Sequence, residues 1–105
     1  MKLKTSLLAA LLISIPFGSA IAQDGEQLYN TKTCFGCHGK DAKSPILPVY
    51  PKIAGQNRDY IVVQMTDIKS GARANGQSAA MKGVMHLVSE EEIAAIADYV
   101  SSLAP

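Results

Sequence analysis

Cys34, Cys37 and His38 are the residues of this 105-residue chain whose types and spacing point most directly to chemistry. They form the run Cys34-Phe35-Gly36-Cys37-His38, a C-x-x-C-H motif, which is the attachment signature of a c-type haem. Two thiols so spaced, close to the end of a helix, can reach one edge of a macrocycle and add to its two vinyl groups as thioethers. The adjacent imidazole then falls beneath the iron as a proximal ligand. Three other readings of the motif are weaker. A thioredoxin-like dithiol goes with a βαβ pattern, and no strand pattern is visible. Structural zinc wants four ligands, and only His86 remains among Cys and His. A plain disulfide leaves His38 without a role.

A haem iron takes a sixth ligand, and Met65, Met81 and Met85 lie downstream of the motif. Met65 falls on the apolar stripe of an expected helix and reads as core filler. Met81 and Met85 both lie in a segment expected to be a loop, and residue type alone does not separate them. His86 could supply a second imidazole, but a lone loop histidine more often faces solvent.

The elements that must position these residues can be read from the pattern. Asp24 to Cys34 reads as a helix with Asp24 as its N-cap. Gly39 to Gln56 reads as loop, because Pro45, Pro48, Pro51, Gly39 and Gly55 exclude a long helix. A second helix runs from Asn57 or Arg58 to Ser70, with Gly71 as its C-cap. Residues 72–88 are expected to be irregular. Ser89-Glu90-Glu91-Glu92 reads as a capping box that opens the last helix, whose inward stripe is Ile93, Ile96, Ala97, Val100 and Leu103. The three glutamates also suit the positive end of that helix, so they are not read as an acidic ligand site. The fold class is therefore all-α. Two connections longer than about 12–15 residues are unusual in a compact domain, and a large apolar cofactor wrapped by them would explain both.

The first residues do not read as part of this domain. Lys2 and Lys4 precede the apolar run Leu7 to Ile15, and Ala20-Ile21-Ala22 fits a cleavage site, the layout of a secretory signal peptide. Leu3 to Ala22 is about 20 residues, enough to span a bilayer, but Pro16, Gly18 and the small-residue site favour cleavage after Ala22 over a membrane anchor. The expected organisation is a signal peptide, residues 1–22, and one domain, residues 23–105. The mature part then carries eight basic and nine acidic residues, a net charge of −1. No basic patch points to nucleic acid. A domain this small often needs a staple or a cofactor.

The chain resembles the bacterial class I cytochromes c, including the small monohaem members and the domains of the diheme ones. Gly25 and Tyr29 match the Gly-x-x-x-aromatic of the first helix. Pro51-Lys52-Ile53-Ala54-Gly55-Gln56 is similar to the family's P-K-L-A-G-Q stretch, and Ile96 and Tyr99 match packing positions of its last helix. Met81 stands eight residues before Ser89, as the family's distal methionine does before the last helix. The resemblance implies a class I cytochrome c fold, three main helices with long loops around one haem c. It implies His38 and Met81 as iron ligands and the Pro51 carbonyl as acceptor for the His38 Nδ1–H. Gln56, Tyr60 and Arg73 are candidate propionate partners, although a loop arginine is as readily only solvated. Gly25 is expected to let the terminal helices approach closely, with Tyr29 and Tyr99 packed beside it.

The function implied is that of a single-electron carrier of the periplasm, not an enzyme, which works with redox partner proteins and has no stable membrane insertion once its leader is removed. Near-neutral charge predicts modest electrostatic steering. The rival is a haem c subunit of an exported multi-subunit oxidoreductase. A haem enzyme or gas sensor would need an open sixth position, and a thiol oxidoreductase would be colourless with titratable thiols.

Overall fold

The computed structural model describes residues 23–105, so the expected signal peptide lies outside the described residues. Five helices succeed one another: α1 (Gly25–Thr31), α2 (Phe35–His38), α3 (Arg58–Ser70), α4 (Ser78–Met85) and α5 (Glu90–Ser102). No strand occurs among the described residues. The fold is all-α, as expected, with α1, α3 and α5 as its frame.

The frame begins where two helices from distant parts of the sequence touch. The Asp24 side chain accepts from Gln27 N at 3.2 Å and starts α1. A Cβ built on Gly25 would strike the Ala95 carbonyl and stand 2.7 Å from the Tyr99 Cβ. Only glycine therefore lets α1 approach α5 this closely, as the sequence suggests. Tyr29 and Tyr99 pack beside that contact, with ring centroids 5.6 Å apart and planes tilted by 59°. Beside Tyr99 on α5, Asp98 Oδ1 accepts from the Arg58 Nε at 2.6 Å, which joins α5 to α3.

Helix α5 starts on the predicted capping box. Ser89 Oγ accepts from Glu92 N at 3.2 Å, and Ser89 N donates to Glu92 Oε1 at 2.9 Å. Its stripe of Ile93, Ile96, Ala97 and Val100 is buried in a core shared with Tyr29, Ile61, Met65, Ile68, Met85 and Val88. Each fully buried aliphatic chain contributes roughly 1.5–3 kcal/mol. Gly71 closes α3 in the left-handed conformation, φ 90°, as predicted.

Two expectations need correction. The helix expected from Asp24 to Cys34 breaks after Thr31, and α2 starts anew at Phe35. Thr33 sits at φ 65°, left-handed backbone that a β-branched residue adopts only when its surroundings impose it. The second correction is α4: residues 78–85 are helical, inside a stretch expected to be irregular throughout. Residues 39–57, in contrast, form a long connection without helix or strand, as expected.

Candidate haem-binding site

A cavity of about 480 Å³ opens between α2, α3, α4 and the segment 49–56. Its size falls within the usual range of ligand and cofactor sites. Cys34, Cys37 and His38 stand on it from the α1–α2 side, and Met81, Val84 and Met85 from α4. Ile61, Met65 and Ile68 of α3 and Ile96 and Val100 of α5 give it an apolar floor.

The break at Thr33 is what turns the C-x-x-C-H run toward the cavity. Cys34 N still bonds the Tyr29 carbonyl at 3.1 Å, and His38 N bonds the Cys34 carbonyl at 3.0 Å, so the motif is itself one short helical turn. Gly39 ends that turn at φ 87°, where a Cβ would crowd the Ser44 carbonyl carbon at 2.8 Å. The Gly39 carbonyl accepts from the buried Tyr29 hydroxyl at 2.5 Å. Burial holds that hydroxyl well above the usual tyrosine range, so it remains a donor.

His38 is 93% removed from solvent, and its Nδ1 lies 2.9 Å from the Pro51 carbonyl. A carbonyl only accepts, so Nδ1 carries the proton and donates, and Nε2 keeps the free lone pair. This is the tautomer that a metal-binding imidazole requires, with its ring fixed by an outer partner. The Pro51 segment is held in turn: Ile53 N and Ala54 N both donate to the Ala42 carbonyl, at 2.8 and 3.0 Å, and Gly55 N donates to the Val100 carbonyl at 3.0 Å.

Both cysteines are free thiols, half-buried on the cavity. Burial pushes the Cys34 thiol up to about 11. A thiol oxidoreductase calls for the opposite, a thiol lowered toward neutrality. Among the described residues no group of three or more His, Cys, Asp or Glu could hold a metal ion, which speaks against the zinc reading. The residues do fit a haem: two thiols three residues apart, an imidazole with its coordinating nitrogen free, and an apolar cleft.

The remaining candidates differ in burial. Met65 is buried in the core, and its side chain forms part of the cavity floor. Met85 is buried with 1% of its surface exposed, whereas Met81 is half-buried at the cleft. Gln56, Tyr60 and Arg73 all border the cavity. Gln56 Oε1 accepts from Asn57 N at 2.9 Å, Tyr60 is half exposed, and Arg73 Nη1 donates to Gln64 Oε1 at 3.0 Å. Arg73 is thus half-buried and paired rather than simply solvated. His86 is exposed and stands off the cavity. Sequence reasoning missed Gln64 and Ser78. Gln64 carries the apt signal, one helical turn after Tyr60 on the same face; Ser78 depended on recognising α4.

A helical domain that presents two thiols and an imidazole to one apolar cleft is built as a c-type haem protein. The chain belongs to the cytochrome c family, whose sequence model matches residues 22–104. It is 34% identical over 98 residues to cytochrome c-553 of Nitratidesulfovibrio vulgaris, covering 93% of this chain and 92% of that one. It is 37% identical over 102 residues to cytochrome c4 of Pseudomonas aeruginosa, covering 96% of this chain and 48% of that one. The crystal structure of reduced recombinant cytochrome c4 from Pseudomonas stutzeri superposes with a TM-score of 0.69 at 32% identity, over 79% of this chain and 48% of that one. The chain thus spans about half the length of the cytochromes c4 it matches. The fold is that of a class I cytochrome c, and the cofactor that goes with it is a covalently bound haem c with its iron.

Proposed function

We propose that this chain is a single-electron carrier with one haem, whose iron is held between His38 and Met81. The observation that carries the reading is the pairing of His38 Nδ1 with the Pro51 carbonyl, which leaves Nε2 free beside a cleft that Met81 also borders. Met81 is favoured over Met85 by its eight-residue spacing to Ser89 and because, of two methionines that both border the cleft, Met85 is packed at 1% exposure while Met81 keeps part of its surface free. Bound haem supplies a one-electron iron couple, and a methionine opposite a histidine raises its potential relative to two nitrogen donors.

The protein's own part is to orient and to exclude. Cys34 and Cys37 fix the macrocycle edge, and the Tyr29–Gly39 bond secures the turn that carries them. The aliphatic floor from α3 and α5 keeps water from the interior side. A filled sixth position leaves no place for an exogenous ligand, which suits transfer through the cofactor edge and not substrate chemistry. Ile46, Leu47 and Val49 are exposed at 64, 48 and 57% on the loop that runs into the cavity rim, a small apolar strip of the kind weak redox encounters use.

We place the carrier in the periplasm after removal of residues 1–22, on the strength of the leader-like sequence. Among the described residues no helix is long and apolar enough to cross a membrane.

The deciding measurement is the weak near-infrared band of a methionine bound to ferric haem. Met81→Leu is expected to abolish it and Met85→Leu to retain it. The opposite pattern moves the ligand to Met85. Rapid carbon monoxide binding by the reduced wild-type protein at neutral pH would replace the carrier reading with a sensor or enzyme.

A further inference from the structure

Helix α4 and the chain just beyond it carry one apolar stripe. Met81, Met85 and Val88 recur at helical spacing; Met85 and Val88 are each 1% exposed, and Met81 sits one turn earlier at the cleft. The chain that leaves α4 is held in another way, by amino groups from elsewhere. Lys32, the C-cap of α1, donates from Nζ to the Leu87 carbonyl at 2.8 Å and lies 3.4 Å from Glu92 Oε2. Lys69, in the last turn of α3, donates from Nζ to the Val88 carbonyl. In the reverse direction Lys82 of α4 lays its ammonium over Gly71, where a Cβ would stand 3.0 Å from Nζ. Among the described residues, Lys32 and Lys69 are the two lysines that hydrogen-bond a main-chain carbonyl. Both bonds end on the carbonyls of consecutive residues just beyond α4.

We infer that Lys69 and Lys32 are positioning residues for Met81: they pin the exit of α4 to α3 and α1, and so hold the sixth ligand against the iron. The inference rests on Met81 being that ligand. Neither lysine borders the cavity, so both act through α4 and not on the cofactor. By fixing the chain at the exit of α4, the two bonds favour the seated arrangement of that helix over any in which Met81 stands away. Lys69 is the stronger pin. Its partner Val88 is buried, so water competes poorly for that carbonyl, whereas Leu87 is 64% exposed.

Imidazole titration of the ferric holoprotein tests this, because imidazole reaches the iron only when Met81 leaves. Lys69→Met keeps the aliphatic stem and removes the donor; it is expected to tighten apparent imidazole binding about tenfold. Lys69→Arg restores a donor and is expected to bind as wild type. Lys32→Met should give a smaller increase, about threefold. Arg58→Met, which cuts α3 from α5 without touching α4, should leave the affinity unchanged. If Lys69→Met and Lys32→Met only lower the melting temperature and bind imidazole as wild type, the lysines are structural and the inference falls. If Lys69→Met yields no holoprotein, Lys32→Met decides alone. Should the near-infrared band survive Met81→Leu, the ligand assignment fails first and takes this inference with it.

Discussion

The two walls of the cleft are built by different means. The attachment wall, residues 34–56, has almost no regular structure beyond one helical turn, yet its backbone is tied at short range. Tyr29 holds Gly39, Pro51 holds His38, Ala42 takes two amides from residues 53 and 54, and the Cys37 carbonyl takes the Ile46 amide at 3.2 Å. The opposite wall, α4, is regular but lightly tied: two buried side chains and a few lysine contacts secure it. The contrast teaches that regular structure and rigidity are separate properties. The irregular wall fixes the covalent site and the imidazole tautomer.

The largest way to break this comparison is to remove the covalent tie itself. Cys34→Ser combined with Cys37→Ser should leave no haem on the chain after denaturing electrophoresis, an all-or-none result read by haem staining. Next comes the frame from which the attachment wall hangs. Gly25→Leu must push α1 off the Ala95 backbone, and a cost of about 3 kcal/mol is expected. In a domain this size that lowers the melting temperature of the holoprotein by more than 10 °C, at roughly 4–8 °C per kcal/mol. An unchanged melting curve would refute the close contact. Tyr29→Phe sharpens the comparison within the attachment wall. It leaves the Gly39 carbonyl without its buried donor, at about 1–2 kcal/mol by chemical denaturation, while the near-infrared band should persist because α4 is untouched.

The smallest expected effect lies beyond α4. The Ser89 amide, and then Lys32, hold the Glu92 carboxyl below its ordinary range. A depressed folded-state value means that its contribution is present above the unfolded-state value and is lost as pH falls through the folded one. The melting temperature should therefore decline as pH drops below the ordinary glutamate range, and Glu92→Gln should flatten part of that decline. A slope identical to wild type would show that the box adds nothing to acid stability.

The frame was legible in the sequence because its signals are local. Asp24, Gly71 and the Ser89–Glu92 box mark helix ends through their own side chains or backbone freedom. The attachment motif was legible because its chemistry needs fixed spacing. What escaped was set by distant contacts. Gln77 makes no side-chain cap for α4, and Gly83 weakens helix propensity inside it. That helix stands because Met85 reaches the core from its last turn, followed by Val88 just beyond its end. Thr33 gave no sign of its left-handed backbone, since nothing near it in sequence asks for one. Residue type does not separate Met81 from Met85, and in the fold both border the cavity with different burial.

The meeting of Gly25 with Ala95 and Tyr99 has a consequence for how the molecule comes into being. These residues stand about 70 positions apart, so their contact closes a loop around nearly the whole domain, and such closure costs chain entropy before any packing repays it. During synthesis the two thiols emerge long before the helix that seats α1 against them. The attachment turn therefore emerges before its frame, which is complete only when the last helix packs against α1.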